Sequence, residues 1–146
     1  MIEFINRIIY DITQVHPLHP MIVHFPIGLT GAALFFVLLA IWRHNDLLEK
    51  VAFANISLAA VSTVVAAIVG IRDNINLYNG AAPNASVKIM LATTLFIVTV
   101  VMAVVRWRKP DLFHSSSRAL YVAGYFISFA LSATLGFLGG VILYGF

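Results

Sequence analysis

The sequence lacks cysteine altogether, and it has few charged residues. Without cysteine the chain has no disulfide framework, no thiolate metal site and no cysteine nucleophile, and thiols give no indication of its compartment. Lysine, arginine, aspartate and glutamate make up only 10% of the 146 residues, against about 25% in average soluble domains. So few charges cannot give a domain of this size a polar surface, which excludes a soluble enzyme domain and a nucleic-acid-binding module.

Apolar residues fill this deficit, since 61% of the chain is hydrophobic. A helix needs about 20 apolar residues to span a bilayer, and four runs meet that length, at residues 21–42, 51–71, 87–107 and 119–145. Backbone groups inside lipid must be paired within their own segment, so the runs are helices rather than strands. The sequence predicts an all-α fold, an integral membrane four-helix bundle that forms a single transmembrane domain over residues 1–146.

The first 15 residues have a different pattern, in which apolar side chains recur every three or four positions. Glu3, Arg7 and Asp11 lie off that apolar face, which is typical of an amphipathic helix. We expect residues 1–15 to form a short helix in the membrane interface, or alternatively a helix packed on a neighbouring subunit. Residues 16–20 follow as a histidine-proline turn.

Lysine and arginine predict the orientation of the bundle. Six of them lie in or beside the connections after the first and third spans, and three lie on the opposite side. Loops that face the cytoplasm are enriched in these residues. The sequence therefore predicts a multi-pass protein of a bacterial cytoplasmic (inner) membrane with both termini on the outer, periplasmic side.

Three of the five histidines, His16, His19 and His24, lie within nine residues at the predicted outer side. Three imidazoles suffice for a transition-metal site, and Asp73, also on that side, is a candidate fourth ligand or an acceptor that orients one ring. A structural role is the alternative, because imidazole can hydrogen-bond backbone groups near the prolines. We favour the structural role and no cofactor, and keep haem b or one transition metal as the alternative.

A haem site meets a further obstacle in the sequence. Bis-histidine ligation inside a bundle takes two imidazoles at one depth, usually from two helices. The second, third and fourth spans contain no histidine. A self-contained two-haem cytochrome is therefore disfavoured.

The fourth span carries a small residue at every fourth position. The series consists of Gly124, Ser128, Ser132, Gly136 and Gly140. Such a series lets another helix approach closely, because apolar burial alone does not drive helices together in lipid. We interpret it as a helix-packing interface, either within the bundle or with another membrane-protein subunit.

Two motifs resemble a known family. The runs His16-Pro17-Leu18-His19-Pro20 and Val23–Leu29 are similar to the signature of an uncharacterised bacterial family of predicted membrane proteins, domain of unknown function 2231. The segment Gly70–Asp73 and the glycine-rich end of the fourth span are similar too. The resemblance covers nearly the whole chain and implies a four-span membrane protein of open activity. Relatives place a histidine near the start of the third span, where this chain has Val87 and Lys88.

The function predicted from the sequence is that of a non-catalytic membrane subunit. All six acidic residues fall outside the predicted spans, and no catalytic set or phosphate-binding loop can be assembled. We therefore expect an accessory component of a respiratory or photosynthetic electron-transfer complex, whose partners are lipid and other membrane-protein subunits, not nucleic acid. The alternative is a haem- or metal-binding redox protein that uses the histidine cluster. A third interpretation is a small-molecule carrier that binds its ligand at an asparagine-rich outer loop, residues 71–80.

Overall fold

The computed structural model describes residues 1–10 and 18–144, and this part of the chain is helical between short connections. The α-helices are α1 (Ile2–Tyr10), α2 (His19–Ile22), α3 (His24–Arg43), α4 (Asp46–Tyr78), α5 (Ala85–Arg108) and α6 (Arg118–Tyr144), and a short 3-10 helix spans Leu112–His114. His16 and Pro17 of the histidine-proline turn, residues 11–15 of the predicted interfacial helix, and Gly145 and Phe146 lie outside the described residues.

The four long helices form a closed ring in which each packs against its neighbours in the chain and α6 returns to α3. The connections between them are short, so successive helices run antiparallel. The short helix α2 packs against α4 as well as α3. This arrangement brings the start of α3, the end of α4 and the start of α5 to one end of the bundle.

In the described part of the chain, four helical segments are long and apolar enough to cross a membrane. They are His19–Arg43, Asp46–Tyr78, Ala85–Arg108 and Arg118–Val141, with mean hydropathy between 1.6 and 2.3. No more than 33% of the most apolar stretch of any of them is buried inside the bundle. The rest is an apolar outer surface of the kind that lipid covers, which confirms the all-α fold with four long apolar helices.

Helix α1 is amphipathic, as its sequence pattern predicts. Ile2 and Ile5, three positions apart on one face, are exposed, at 76% and 47% of their full surface. An exposed apolar face is compatible both with a position in the membrane interface and with packing on a neighbouring subunit.

The connection between α3 and α4 is shorter than the apolar runs suggest. His44 ends α3 in the left-handed conformation, at φ 50°, and Asn45 caps α4 by accepting a hydrogen bond from the Leu47 amide at 2.8 Å. Asparagine is a strong N-cap because its side chain satisfies an amide that the first turn leaves unpaired. Helix α4 therefore begins at Asp46, and Glu49 lies in the helix rather than in a loop.

The asparagine-rich segment 71–80 is also helical for most of its length, which corrects its interpretation as a loop. Helix α4 continues to Tyr78 and ends at Asn79 and Gly80, which both have positive φ. The backbone carbonyl of Asn74 accepts a hydrogen bond from the Gly80 amide at 2.9 Å, and the side-chain oxygen of Asn74 accepts one from the Ala82 amide. These asparagines end a helix, so the open loop on which the carrier interpretation depended is absent from this segment.

Pro20 and Pro26 are both accommodated at helix starts. Pro20 lies in the first turn of α2, and Pro26 lies in the first turn of α3. Proline is tolerated there because the first amides of a helix have no partner within it. Residues 19 and 20 are thus helical, whereas the sequence analysis assigns them to a turn.

The small residues of α6 face its neighbours in the ring. A Cβ atom at Gly124 would lie 2.5 Å from the Met102 sulfur of α5, and one at Gly136 would lie 2.8 Å from the end of Ile27 in α3. Ser128 and Ser132 are buried, and the hydroxyl of Ser132 lies 2.6 Å from that of Thr30. Gly140 differs, because no described residue lies within 4 Å of the position its Cβ would take.

Candidate functional site

Polar side chains lie at both ends of the bundle, which we call the histidine rim and the basic rim. The histidine rim is the end where α3 and α5 begin and α4 ends; it holds His19, His24, Arg72, Asp73 and Lys88. The basic rim is the opposite end, where α4 and α6 begin. It holds Arg43, Lys50, Arg106, Arg108, Lys109 and Arg118.

At the histidine rim, Asp73 connects the short helix α2 to α4. One oxygen of the buried Asp73 carboxylate accepts a hydrogen bond from the backbone amide of His19 at 2.8 Å, and the other accepts one from Arg72 at 2.9 Å. The His19 amide belongs to the first turn of α2, so this bond satisfies a group that the helix cannot pair internally. Asp73 therefore holds the start of the first apolar segment against the end of the second.

The imidazole of His19 lies against α4 one turn before Asp73. Its Nδ1 is 3.0 Å from the backbone carbonyl of Ala66. Gly70 leaves the space for the ring, because a Cβ atom there would lie 2.9 Å from both Cε1 and Nδ1 of His19. Gly70 and Asp73 lie about one turn apart on the same side of α4. Gly70 therefore accommodates the His19 ring, while Asp73 binds the His19 backbone amide.

His24 lies apart from this contact and is exposed. Its Nδ1 is 2.6 Å from the carbonyl of Pro20, one turn earlier in the chain. A carbonyl oxygen only accepts hydrogen bonds, so Nδ1 carries the proton in both His19 and His24. In each neutral ring Nε2 then keeps its lone pair, which is the state in which histidine binds a metal.

The four residues predicted as metal or haem ligands are therefore brought together only in part. His19 and Asp73 meet through a backbone amide, His24 bonds to Pro20, and His16 lies outside the described residues. Among residues 1–10 and 18–144 no three histidine, aspartate or glutamate side chains are grouped closely enough to hold a metal ion.

The basic rim contains a buried ion pair that the sequence analysis missed. Glu49 of α4 is 1% exposed and Arg106 of α5 is 9% exposed. The Arg106 guanidinium donates to both carboxylate oxygens, from Nε at 2.6 Å and from Nη2 at 2.7 Å. Two-pronged pairs of this kind combine charge with fixed geometry, so the pair holds α4 and α5 in one register.

Two tyrosines of α6 extend this ion pair into a network. Tyr121 donates its hydroxyl proton to Glu49 at 2.8 Å, and the Tyr125 hydroxyl lies 2.6 Å from that of Tyr121. Because the Tyr121 proton is used by Glu49, Tyr125 is the donor in the second bond. The network joins α4, α5 and α6 at the basic rim, and the carboxylate of Glu49 accepts three hydrogen bonds within the chain.

One stripe of α4 carries the central residue of both rims. Its members recur at alternating spacings of three and four and are buried apart from Gly70, which is partly buried; they are Glu49, Ala52, Ile56, Ala59, Thr63, Ala66, Gly70 and Asp73. At 1.5 Å per residue the two acids at its ends are about 36 Å apart, slightly more than the ~30 Å hydrocarbon core of a bilayer. The two carboxylates therefore have the separation expected for the two faces of a membrane.

The spacing of this stripe was the signal that sequence reasoning overlooked. Glu49 stands three residues before Ala52 and seven before Ile56, in register with the apolar face of the helix. Apolar runs alone placed the start of the span at residue 51 and left Glu49 in a loop. The expectation that all six acids lie outside the spanning segments is therefore wrong for Asp46, Glu49 and Asp73, which belong to α4, and the last two of them are buried there.

Comparison with known proteins gives a match to a family. The family model described as predicted membrane protein (DUF2231) matches residues 15–146. No curated protein matches the chain, and no solved structure matches it.

Proposed function

Since the chain belongs to the DUF2231 family of membrane proteins, we propose that it is a non-catalytic, multi-pass membrane subunit that acts by docking against other membrane proteins. The assembly we propose is an electron-transfer complex of a respiratory or photosynthetic membrane. Both rims of the bundle and its outer surface bear on this proposal.

The observation that carries the proposal is that the buried polar side chains of the described bundle are hydrogen-bonded within the chain. In the described part of the chain, every buried side-chain nitrogen and oxygen has a hydrogen-bond partner. Glu49, Arg106 and Asp73, the charged residues of the interior, are all bound by groups of neighbouring helices or turns. Polar groups used in this way fix the packing of helices, which suits a rigid scaffold.

The outer surface offers a place where another helix can approach. Among the described residues, nothing lies within 4 Å of the positions that Cβ atoms would take at Gly28 of α3 and at Gly139 and Gly140 of α6. Ile27, next to Gly28, contacts Gly136, so the two helices are neighbours at this height. Open glycines on adjacent helices permit close contact with a third helix in lipid.

The docking proposal is tested by purification from membranes in a mild detergent. We expect the wild-type protein to migrate as a complex with other membrane proteins, which mass spectrometry then identifies. A Gly140→Leu variant fills open space, so it should leave the bundle folded and weaken the association. Ala67→Leu adds bulk at an exposed position of α4 and serves as the matched control. A wild-type protein that purifies only as a free monomer would contradict the proposal.

The histidine rim supports a second candidate function, the binding of haem or one transition metal. Both His19 and His24 donate Nδ1–H to a backbone carbonyl. Ligating histidines almost always hold their second ring nitrogen in this way, because the bond fixes the tautomer and the orientation of the ring. Such a site would give the subunit a direct part in electron transfer.

Spectroscopy and metal analysis distinguish the two candidates. If the second holds, the purified protein titrated with haem b develops a Soret band, or elemental analysis finds a transition metal close to one per chain. His24→Ala should abolish the signal, whereas His44→Asn at the basic rim should retain it. If the protein gives neither signal, the second candidate is contradicted and only the docking role remains.

A further inference from the structure

An open groove crosses the outside of the bundle at the basic rim, between the end of α3 and the start of α6. Its volume is about 640 Å³, within the ~300–1,000 Å³ typical of ligand pockets. Its lining is apolar except at one end. The lining residues are Ile41, Ser116, Arg118, Ala119, Val122, Ala123 and Phe126.

The polar end of the groove holds Arg118, which has no carboxylate partner among the described residues. None of the ion pairs in the described part of the chain includes Arg118. Its guanidinium lies 4.9 Å from the centre of the Phe113 ring, and Phe113 is buried beneath it. Stacking on an aromatic face orients a guanidinium, so Arg118 is positioned at the mouth of the groove with its donors available.

The exposed tryptophans indicate the depth of this arginine in the membrane. Trp42 at the end of α3 is 70% exposed and Trp107 at the end of α5 is 78% exposed, both at the basic rim. Tryptophan prefers the level of the lipid headgroups. Arg118, the first residue of α6, is therefore at headgroup level, and the apolar lining of the groove extends from it toward the hydrocarbon core.

We propose that this groove binds an anionic phospholipid, with the headgroup phosphate on Arg118 and one acyl chain along Ala119, Val122, Ala123 and Phe126. The cation at headgroup level and the apolar lining next to it match the two parts of such a lipid. Arginine also binds phosphate oxygens through two parallel hydrogen bonds.

The proposal is tested on the full-length protein in detergent by native mass spectrometry and thermal unfolding. Phosphatidylglycerol and phosphatidylcholine with identical acyl chains are the probes. We expect phosphatidylglycerol to be retained in preference and to raise the melting temperature more. Arg118→Gln should lower that preference about fivefold, the effect of one basic residue near an anionic lipid. Arg108→Gln removes the same charge from the same rim without touching the groove, and it should keep the preference.

A groove-filling variant keeps the proposal testable if Arg118→Gln does not fold. Ala123→Phe should reduce the retention of both lipids, while Arg118→Lys should retain part of the preference. Free glycerol phosphate should not raise the melting temperature, which distinguishes a lipid from soluble phosphate. A photo-crosslinker at residue 119 in native membranes should form an adduct with lipid.

Four outcomes would overturn the proposal. They are equal retention of the two lipids by the wild type, an equal loss of preference in Arg108→Gln, full protection by glycerol phosphate, and a crosslink from residue 119 to a protein. The last would assign the groove to a partner subunit.

Discussion

At the scale of single residues, the ion pair between Glu49 and Arg106 has the largest expected effect on stability. Removing one partner of a buried pair leaves the other charge unpaired and costs about 3–5 kcal/mol. We expect Glu49→Gln and Arg106→Gln each to lower the free energy of unfolding by that order. Replacing both by leucine should cost less than either change alone, because no unpaired charge is left behind.

The control for this prediction is the pair between His114 and Asp46, which lies at the same end of the bundle but is exposed. Exposed pairs contribute about 0–1 kcal/mol, so Asp46→Asn should have little effect. Reversible unfolding in detergent measures all of these differences. Equal effects of Glu49→Gln and Asp46→Asn would show that the buried pair does not stabilise the fold.

Replacing Gly70 by alanine is expected to have the opposite effect on stability from replacing Gly28 by alanine. Alanine is favoured over glycine within a helix by roughly 0.5–1 kcal/mol, so Gly28→Ala, where space is open, should be neutral or stabilising. Gly70→Ala places a methyl group against the His19 ring and should instead destabilise by about 1–3 kcal/mol. The melting temperatures of the two variants show whether each change stabilises or destabilises the protein. A Gly70→Ala variant that is stabilised would contradict the contact between Gly70 and the His19 ring.

A double variant separates this contact from other effects. If the methyl group acts through the imidazole, then in a His19→Ala background Gly70→Ala should lose much of its cost, since the ring it displaces is gone. Additive effects would mean that Gly70 acts on something other than His19.

At the scale of elements, the sequence predicts what depends on length and composition and misses what depends on register. The four apolar runs locate the long helices of the bundle, and the Ile pattern predicts α1. Apolar runs place the start of α4 too late, because the polar residues around Asn45 resemble a loop although Asn45 is a strong N-cap. The end of α4 was missed because Asn74, Asn76 and Asn79 favour turns in general, whereas here the helix continues to Tyr78.

The sites follow the same division. The sequence places His19, His24 and Asp73 at one end of the bundle. The contact between the His19 ring and Gly70, however, depends on how α2 packs against α4, and a single sequence does not reveal that packing. The network at the basic rim combines three helices, and its partners are separated by 57 and 72 positions in the chain. Only the spacing of Glu49 within α4 was available beforehand.

The register of α4 can be tested by insertion. One alanine inserted between Leu58 and Ala59 turns everything after it by about 100° and advances it by 1.5 Å. Glu49 and Asp73 can then no longer both face their partners, and we expect a large drop in melting temperature with loss of cooperative unfolding. One alanine inserted between Ala82 and Pro83, in the connection to α5, is the matched control and should be tolerated. If both insertions are tolerated equally, Glu49 and Asp73 do not need to lie on the same face of α4.

At the scale of the whole molecule, charge and pairing together bear on the orientation in the membrane. The ion pairs use Arg106 at the basic rim and Arg72 at the histidine rim. One cation is thus neutralised at each end, and the excess of lysine and arginine at the basic rim is unchanged. The asymmetry that predicted the orientation from the sequence therefore remains in the folded bundle.

The lack of native cysteine makes this orientation directly measurable. Single cysteines at residue 79, beyond the end of α4, and at residue 116, before α6, report on the two rims, and both positions are exposed. We expect a membrane-impermeant maleimide to label Asn79→Cys in intact cells and to label Ser116→Cys only after the membrane is opened, because the excess of lysine and arginine predicts that the basic rim faces the cytoplasm. The reverse pattern would place the histidine rim inside. Periplasmic partners or cofactors would then have no access to His19 and His24, while an anionic lipid at Arg118 would have to come from the outer leaflet.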